Sequence, residues 1–480
     1  MAKIKLIILG LVFVIAVIIL FSHQLLETPM GLTVDETAFG YNAALLSRTG
    51  HDENNRFLPL FVLSINGQDW RQPLTQYYLA LLFHFFTPSV WLLRFSSIII
   101  TIVSSFLLVY LAFLYKNFRF SLFSIFVFIT TPLIMIQSHL GLDNIMPIPF
   151  TILWLLGLLL FTNKRLRRYL ILSAIALGIS YYSYKGMRAV SPVWAVISVI
   201  YLSFINKHLF SKKNITDCLY FGLTVFPFFA ATPYLNHLYP GAMSGGASPH
   251  FDTIYNFFYP YLSSFDLTFL FIKGDELPYH STGIHGMMLL ASLPFFIYGI
   301  KKLLDDSKPY SRFLVAVFFS APLLFGIVNS VHRASRLMCL IPVYALITAF
   351  GLECLTLAFR RYRVIFLVLL LSLFSLNYID FLHYYWNDYT KLSQSFVGDL
   401  KPYLSYQQLH MQSQKLNLTP YISSDIYNDF FASIYFSKPL IRLNPDDIPP
   451  TGSILLTQRK DVPDLSRLDL NLKYYYLQTR

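Results

Sequence analysis

The sequence predicts an all-α, multi-pass membrane protein of about eleven transmembrane helices, with interfacial helices and a small α/β region at its C-terminal end. Three observations lead there. Of 480 residues, 55% are hydrophobic and only 13% charged, whereas a soluble domain carries about 25% charged residues. Apolar runs long enough to cross a hydrocarbon core, roughly 20 residues each, recur along the chain. The 45 Phe and 33 Tyr suit rings packed in lipid and at its interfaces.

Eleven such runs centre near residues 12, 103, 128, 153, 177, 197, 223, 291, 321, 346 and 370. The first follows Lys3 and Lys5 and lacks a small-x-small cleavage site after Phe21, so it reads as an uncleaved helix. Further basic groups lie at Lys116/Arg119, Lys164–Arg168, Lys207–Lys213, Lys301–Arg312 and Arg360–Arg363, always at alternate connections. By the positive-inside rule these face the cytoplasm, which puts the N-terminus inside and the C-terminus outside. The formal charge of +12 is therefore topological, and nucleic-acid binding is not indicated. Residues 76–87 are apolar but too short to span and read as a helix in the outer interface. The chain divides into a transmembrane region, 1–380, and an extracytoplasmic tail, 381–480, where Tyr421–Ser424 and Ser453–Thr457 resemble strands. Cys218, Cys339 and Cys354 lie in or beside apolar segments and suggest neither disulfides nor zinc.

The outward loops hold the candidate chemistry. In the first, Asp35 and Glu36 follow a membrane helix directly. A carboxylate at that depth either caps a helix or takes the proton of a hydroxyl nucleophile as a carbon–phosphate bond breaks. Arg71, just before the interfacial segment, either meets lipid headgroups or holds a leaving phosphate by bidentate hydrogen bonds. A second loop, 137–147, contains His139 and Asp143. Asp143 is placed to cap a helix, orient an acceptor or bind a cation. Tyr184, Lys185 and Arg188 sit between two apolar runs with almost no loop, and His332, Arg333 and Arg336 lie at another helix mouth. Such cations either snorkel to headgroups or meet an anion such as a polyprenyl phosphate. The stretch 273–280 ends in His280, which with Glu276 lacks metal-ligand spacing. No Gly-rich phosphate loop of the Walker or Rossmann type is present, so stored energy has to arrive in an activated lipid donor.

In order, these stretches resemble the GT-C membrane glycosyltransferases, in particular the family 39-like group of protein O-mannosyltransferases and bacterial lipid A aminoarabinose transferases. Asp35-Glu36 matches that group's Asp-Glu pair. The segment 71–74 (RQPL) stands where the family has Lys-Pro-Pro-Leu, and 142–146 (LDNIM) resembles its Leu-Asp-Pro-Met-like helix start. Gly274-Asp275 with His280, and His332 to Arg336, resemble two further family stretches, so the likeness covers residues 30 to about 340. It implies inverting transfer from a polyprenyl-phosphate sugar to an acceptor hydroxyl. Asp35 would be the base, Arg71 a phosphate contact and Asp143 a second acidic residue, with no cofactor required and a divalent cation compatible. Arg in place of Lys, and Gln72 in place of the first Pro, keep the charge but change its geometry. Competing readings are a polysaccharide polymerase or ligase, which would transfer a preassembled glycan, and a lipid or solute transporter. The transporter is disfavoured by polar residues gathered at one face rather than at the midplane.

Overall fold

A computed structural model describes residues 2–480 apart from 66, 206–210, 244–252, 329, 399–400, 437–439, 446, 448, 458–465, 468–474 and 479–480. The chain opens with α1 (Ala2–Ser22) and α2 (Val34–Thr49), then a hairpin of β1 (Val62–Ser64) and β2 (Asp69–Arg71), then α3 (Pro73–Phe85). The helical body follows as α4 (Val90–Tyr115), α5 (Phe118–Ile129), α6 (Pro132–Ser138), α7 (Pro147–Lys164), α8 (Arg168–Tyr181), α9 (Met187–Phe204), α10 (Lys212–Ala230), α11 (Thr232–Leu238) and α12 (Ile254–Ser263). It continues with α13 (Leu293–Asp305), α14 (Pro309–Ser320), α15 (Leu323–Val328), α16 (Ile341–Ala358) and α17 (Arg363–Tyr384). After α18 (Thr390–Val397) and α19 (Lys401–Leu416) come β3 (Thr419–Ser423), α20 (Asp429–Tyr435), β4 (Ile441–Leu443), β5 (Ser453–Thr457), β6 (Ser466–Arg467) and β7 (Tyr475–Gln478).

Among the described residues, seven helical segments are long and apolar enough to span a bilayer, and an eighth if α5 and α6, bent by 60°, count as one. The protein is thus a multi-pass membrane protein, and seven or eight of the eleven expected spans meet this test among the described residues. The apolar runs near residues 12, 177 and 291 do fold as helices. Helix α1 has 21 residues, while α8 with 14 residues and α13 with 13 are shorter than a full span. Helix α8 starts only after the basic run, where Arg165 adopts positive φ, and α13 closes on Lys302. Helix α3, at the place expected for the interfacial segment, has 13 residues and exposes Leu81 and Phe85. Residue 380 lies inside α17, which runs on through Tyr385–Tyr389 into α18.

Two apolar cores organise the molecule. The larger fills the helical bundle, with Trp154, Trp194, Tyr344 and Phe374 fully buried. There α13 and α16 cross in backbone contact, because Gly299 and Gly351 present no Cβ at the crossing. The second core joins α2 and α3 to the tail through Phe39, Leu79, Phe83, Tyr406, Phe430, Ile454 and Leu456. At its centre Gly40 lies under the Phe430 ring, where a Cβ would approach ring carbons to 2.7 Å. The tail's sheet has the order β4-β3-β5-β7-β6, with β3 parallel to β4 and β5, and β7 antiparallel to β5 and β6. The strand expected at 453–457 is β5, and the one expected at 421–424 falls largely in β3. The tail is therefore packed on the helix that carries Asp35.

Candidate active site

The N-terminus of α2 is fixed by a reciprocal cap. Thr33 Oγ1 accepts from Glu36 N at 3.1 Å, and the Glu36 carboxylate accepts from Thr33 N at 3.0 Å. Asp35 thereby sits in the first helical turn, where unpaired N–H groups favour an anion, with its side chain 51% exposed. Facing it is Arg71 Nη1, 2.8 Å from Asp35 Oδ1, on a side chain only 5% exposed. The hairpin sets this position: Val62 pairs with Arg71 and Ser64 with Asp69. Alternate strand residues share a face, so Asp69 and Arg71 project together. Arg71 donates to Ser64 Oγ at 2.7 Å, lies 3.5 Å from Asp69 and stands 5.0 Å from the Phe39 ring centroid. Its Nη2 is buried and has no partner among the described residues.

A second tier of groups closes around this pair. Lys185 is ion-paired with Asp69. Arg188 donates to Gln72 Oε1 and, at 2.8 Å, to Met243 O, leaving its Nε buried and unpartnered. Asp143 begins a 3-10 turn ahead of α7 and is half-buried. Its carboxylate feels the attraction of Arg71 and Lys185 and the repulsion of Asp35 and Asp69. Tyr184 stands beside Arg336, Asp143 and the Ser335 hydroxyl, and burial pushes its phenol pKa up against the pull of Arg336. Asp35, Arg71, Asp69 and Lys185 thus form one chain of ion pairs, with Asp143 within electrostatic reach of it and Tyr184 within reach of Asp143 and Arg336, and Arg188 held by Gln72 next to Arg71.

Other residues singled out from the sequence lie elsewhere or play other parts. Glu36, expected among the catalytic residues, is sealed: it is fully buried, holds Arg94 Nε at 3.0 Å and accepts from Gly141 N at 3.1 Å. A carboxylate with its lone pairs so engaged shapes the site and cannot reach a substrate. His139 is also fully buried, with Nδ1 2.9 Å from Thr28 O and its ring beside Tyr385. That places it under the loop before α2 instead of in the open cluster. His332 stacks on Phe269, with Asp266 and Glu276 each at 3.7 Å. His280 is linked to the site indirectly, since its Nδ1 meets Gln137 Nε2 at 2.8 Å and Gln137 Oε1 accepts from Asn144, the neighbour of Asp143, at 3.1 Å. Burial and then Arg333 drive the His280 pKa down to about 3, so it is neutral. Among the described residues no three His, Cys, Asp or Glu side chains gather as metal ligands.

No protein-family description and no curated protein matches the sequence. Solved structures do match. Apo ArnT from Cupriavidus metallidurans superposes with a TM-score of 0.60 at 12% identity, over 99% of this chain and 98% of that one. ArnT bound to undecaprenyl phosphate gives 0.58 at 11% identity, over 97% of each chain. The oligosaccharyltransferase of Archaeoglobus fulgidus with Zn and sulfate gives 0.51 at 12% identity, over 90% of this chain and 62% of that one. The chain has the GT-C fold. Within that GT-C fold, the outer loop, the start of α7 and the segments before α9 and α16 converge, which accounts for the meeting of residues 35, 71, 143, 185 and 336.

Three residues escaped the sequence reading although their signals were present. Asp69, two positions from Arg71, shares its strand face and bridges it to Lys185. Arg94 is a lone cation inside the apolar run of α4, which by itself marks a buried partner; it donates to Glu36, Leu25 O at 2.9 Å and Pro29 O at 2.8 Å. Gln72, treated only as a departure from a family motif, holds Arg188.

Proposed function

We propose that this chain is an inverting glycosyltransferase that moves a sugar from a polyprenyl-phosphate donor to an acceptor hydroxyl on the extracytoplasmic face. The observation that carries the reading is the pairing of a half-exposed Asp35 with a buried Arg71 whose Nη2 has no partner among the described residues. The acceptor oxygen attacks the anomeric carbon, Asp35 accepts its proton, and the bond from that carbon to the phosphate oxygen breaks. Polyprenyl phosphate leaves with both bonding electrons, toward Arg71 Nη2, with Lys185, Arg188 and Arg336 offsetting its charge. Asp143, within electrostatic reach of Arg71 and Lys185, orients the acceptor. The lipid class follows from the shared fold, since ArnT was captured with undecaprenyl phosphate.

The helix ends support the orientation. Helix α4 carries Arg94 at its site end and meets Lys116 at the other; α7 runs from beside Asp143 to Lys164; α16 follows Arg336 and ends before Arg360. Lys116 and Glu353 pair at 2.9 Å at the end remote from the site. Basic residues therefore collect opposite the candidate site, as an outward-facing site requires. The cations already present supply the charge for a leaving phosphate, so EDTA-treated membranes are expected to retain transfer; a loss restored by a divalent ion would overturn that part.

The test is labelled-sugar transfer from polyprenyl-phosphate monosaccharides in membranes bearing wild type or Asp35→Asn. Wild-type transfer with loss in the variant is expected, and equal rates would end the base assignment.

A further inference from the structure

Beyond the Asp35 end, the same face of α2 leads to a carboxylate with no assigned task. Asn42 lies seven residues after Asp35, two helical turns and about 10 Å along the axis. It is fully buried, and its Oδ1 accepts from Glu53 N at 3.0 Å, which anchors Glu53 to this face. The neighbour, Asp52, is fully occupied: it accepts from Asn54 N and Arg56 N and pairs with Arg56 at 2.6 Å, closing the turn. Glu53 differs. Its Oε1 is buried and has no hydrogen-bond partner among the described residues. The Asn42 amide supports its charged form, as does the field of Arg71, while Asp429 of the tail and Asp52 oppose it. Burial pushes the Glu53 carboxyl up to about 7, against the opposing effects of Asn42 and Arg71.

A buried carboxylate oxygen lacking a donor is unfavourable unless something brings one. In a glycosyl-transfer site, a hydroxyl of the substrate is a group that can bring one. We infer that Glu53 is a specificity-determining residue, its carboxylate accepting a hydrogen bond from a hydroxyl of the substrate lying along the Asp35 face of α2, either the transferred sugar or the acceptor. The inference rests on the glycosyl-transfer reading above. A site built around a substrate hydroxyl rejects an analogue lacking it more strongly than an apolar pocket does.

The experiment uses the full-length protein in detergent with polyprenyl-phosphate mannose, glucose, galactose and arabinose as donors. It compares wild type, Glu53→Ala, Glu53→Gln and Asp35→Asn for sugar release to water and transfer to a simple alcohol. In Glu53→Ala, KM for donor or for alcohol is expected to rise about tenfold, the size of one charge-assisted hydrogen bond, with kcat within about twofold. Glu53→Gln, which keeps an acceptor oxygen, should recover part of the loss. A rise in donor KM assigns the hydroxyl to the transferred sugar; a rise in alcohol KM assigns it to the acceptor. Unchanged KM for both in a folded Glu53→Gln and Glu53→Ala overturns the inference, meaning water satisfies the carboxylate, while Asp35→Asn still reports on the base. If Glu53→Ala does not fold, a Glu53→Gln indistinguishable from wild type overturns it equally. Absence of wild-type transfer from every donor would sink both readings.

Discussion

Two neighbouring carboxylates on one helix, each facing an arginine, have opposite fates. Glu36 and Arg94 are both 0% exposed, and every arm of their pair is tied to backbone or to the partner. Asp35 is 51% exposed, and the buried Arg71 Nη2 has no partner among the described residues. Adjacent residues on a helix point about 100° apart, so one side chain turns inward under the loop before α2 and the other turns to the opening. The closed pair holds the scaffold, and the open pair remains available to a ligand. Identical chemistry thus takes different roles through access and unspent hydrogen-bonding capacity.

The comparison can be broken in four ways. Asp35→Asn should lower transfer by about 10²–10⁴-fold, the usual worth of a general base, with the melting temperature in detergent little changed; a comparable fall in stability would mean that Asp35 is structural as well. Arg94→Ala should instead destabilise the protein by about 3–5 kcal/mol, since it strands a buried carboxylate. Thermal melts and size-exclusion profiles read this out. A double Arg94→Met, Glu36→Met change should recover part of the loss, though not the capping contribution of Glu36. A smaller effect is expected for Arg71→Lys. A point charge cannot hold Asp35 and a phosphate in one planar fork, so kcat/KM should drop about tenfold with folding intact. Wild-type kinetics in that variant would argue against phosphate contact.

The smallest effect concerns pH. His280 has a pKa near 3 when folded against 6.5 for the free side chain, so the unfolded chain binds the proton more readily between those values. Its contribution to stability is complete above about pH 6.5 and declines as pH falls toward 3. Wild type should therefore melt at a lower temperature at pH 5 than at pH 7.5, and His280→Gln should show a shallower decline. Parallel declines would show that other groups carry the acid sensitivity.

Much of the site was readable from residue type and order. Asp35 after the first helix, the Arg before the interfacial segment and the Asp heading a later helix lie within electrostatic reach of one another. Their signal is that polar groups are costly near a bilayer and persist where they have partners. The partner of Glu36 was not readable, because pairing with Arg94 depends on a contact between residues 58 apart in sequence. The same holds for Glu53, whose unpartnered oxygen is a property of packing. Helix lengths were not readable either, because hydropathy registers composition, while α8 and α13 are shorter than their apolar runs suggest.

From the sequence by itself follow the membrane class and the apolar elements, both of which arise from transfer free energies summed over local runs. Tertiary structure alone decided which acidic side chain is sealed and which is open, and it seated the tail's Phe430 on Gly40 beneath the loop that presents Glu53. Burial and hydrogen-bond partnership belong to the packed neighbourhood of an atom, and that neighbourhood is assembled from segments far apart along the chain.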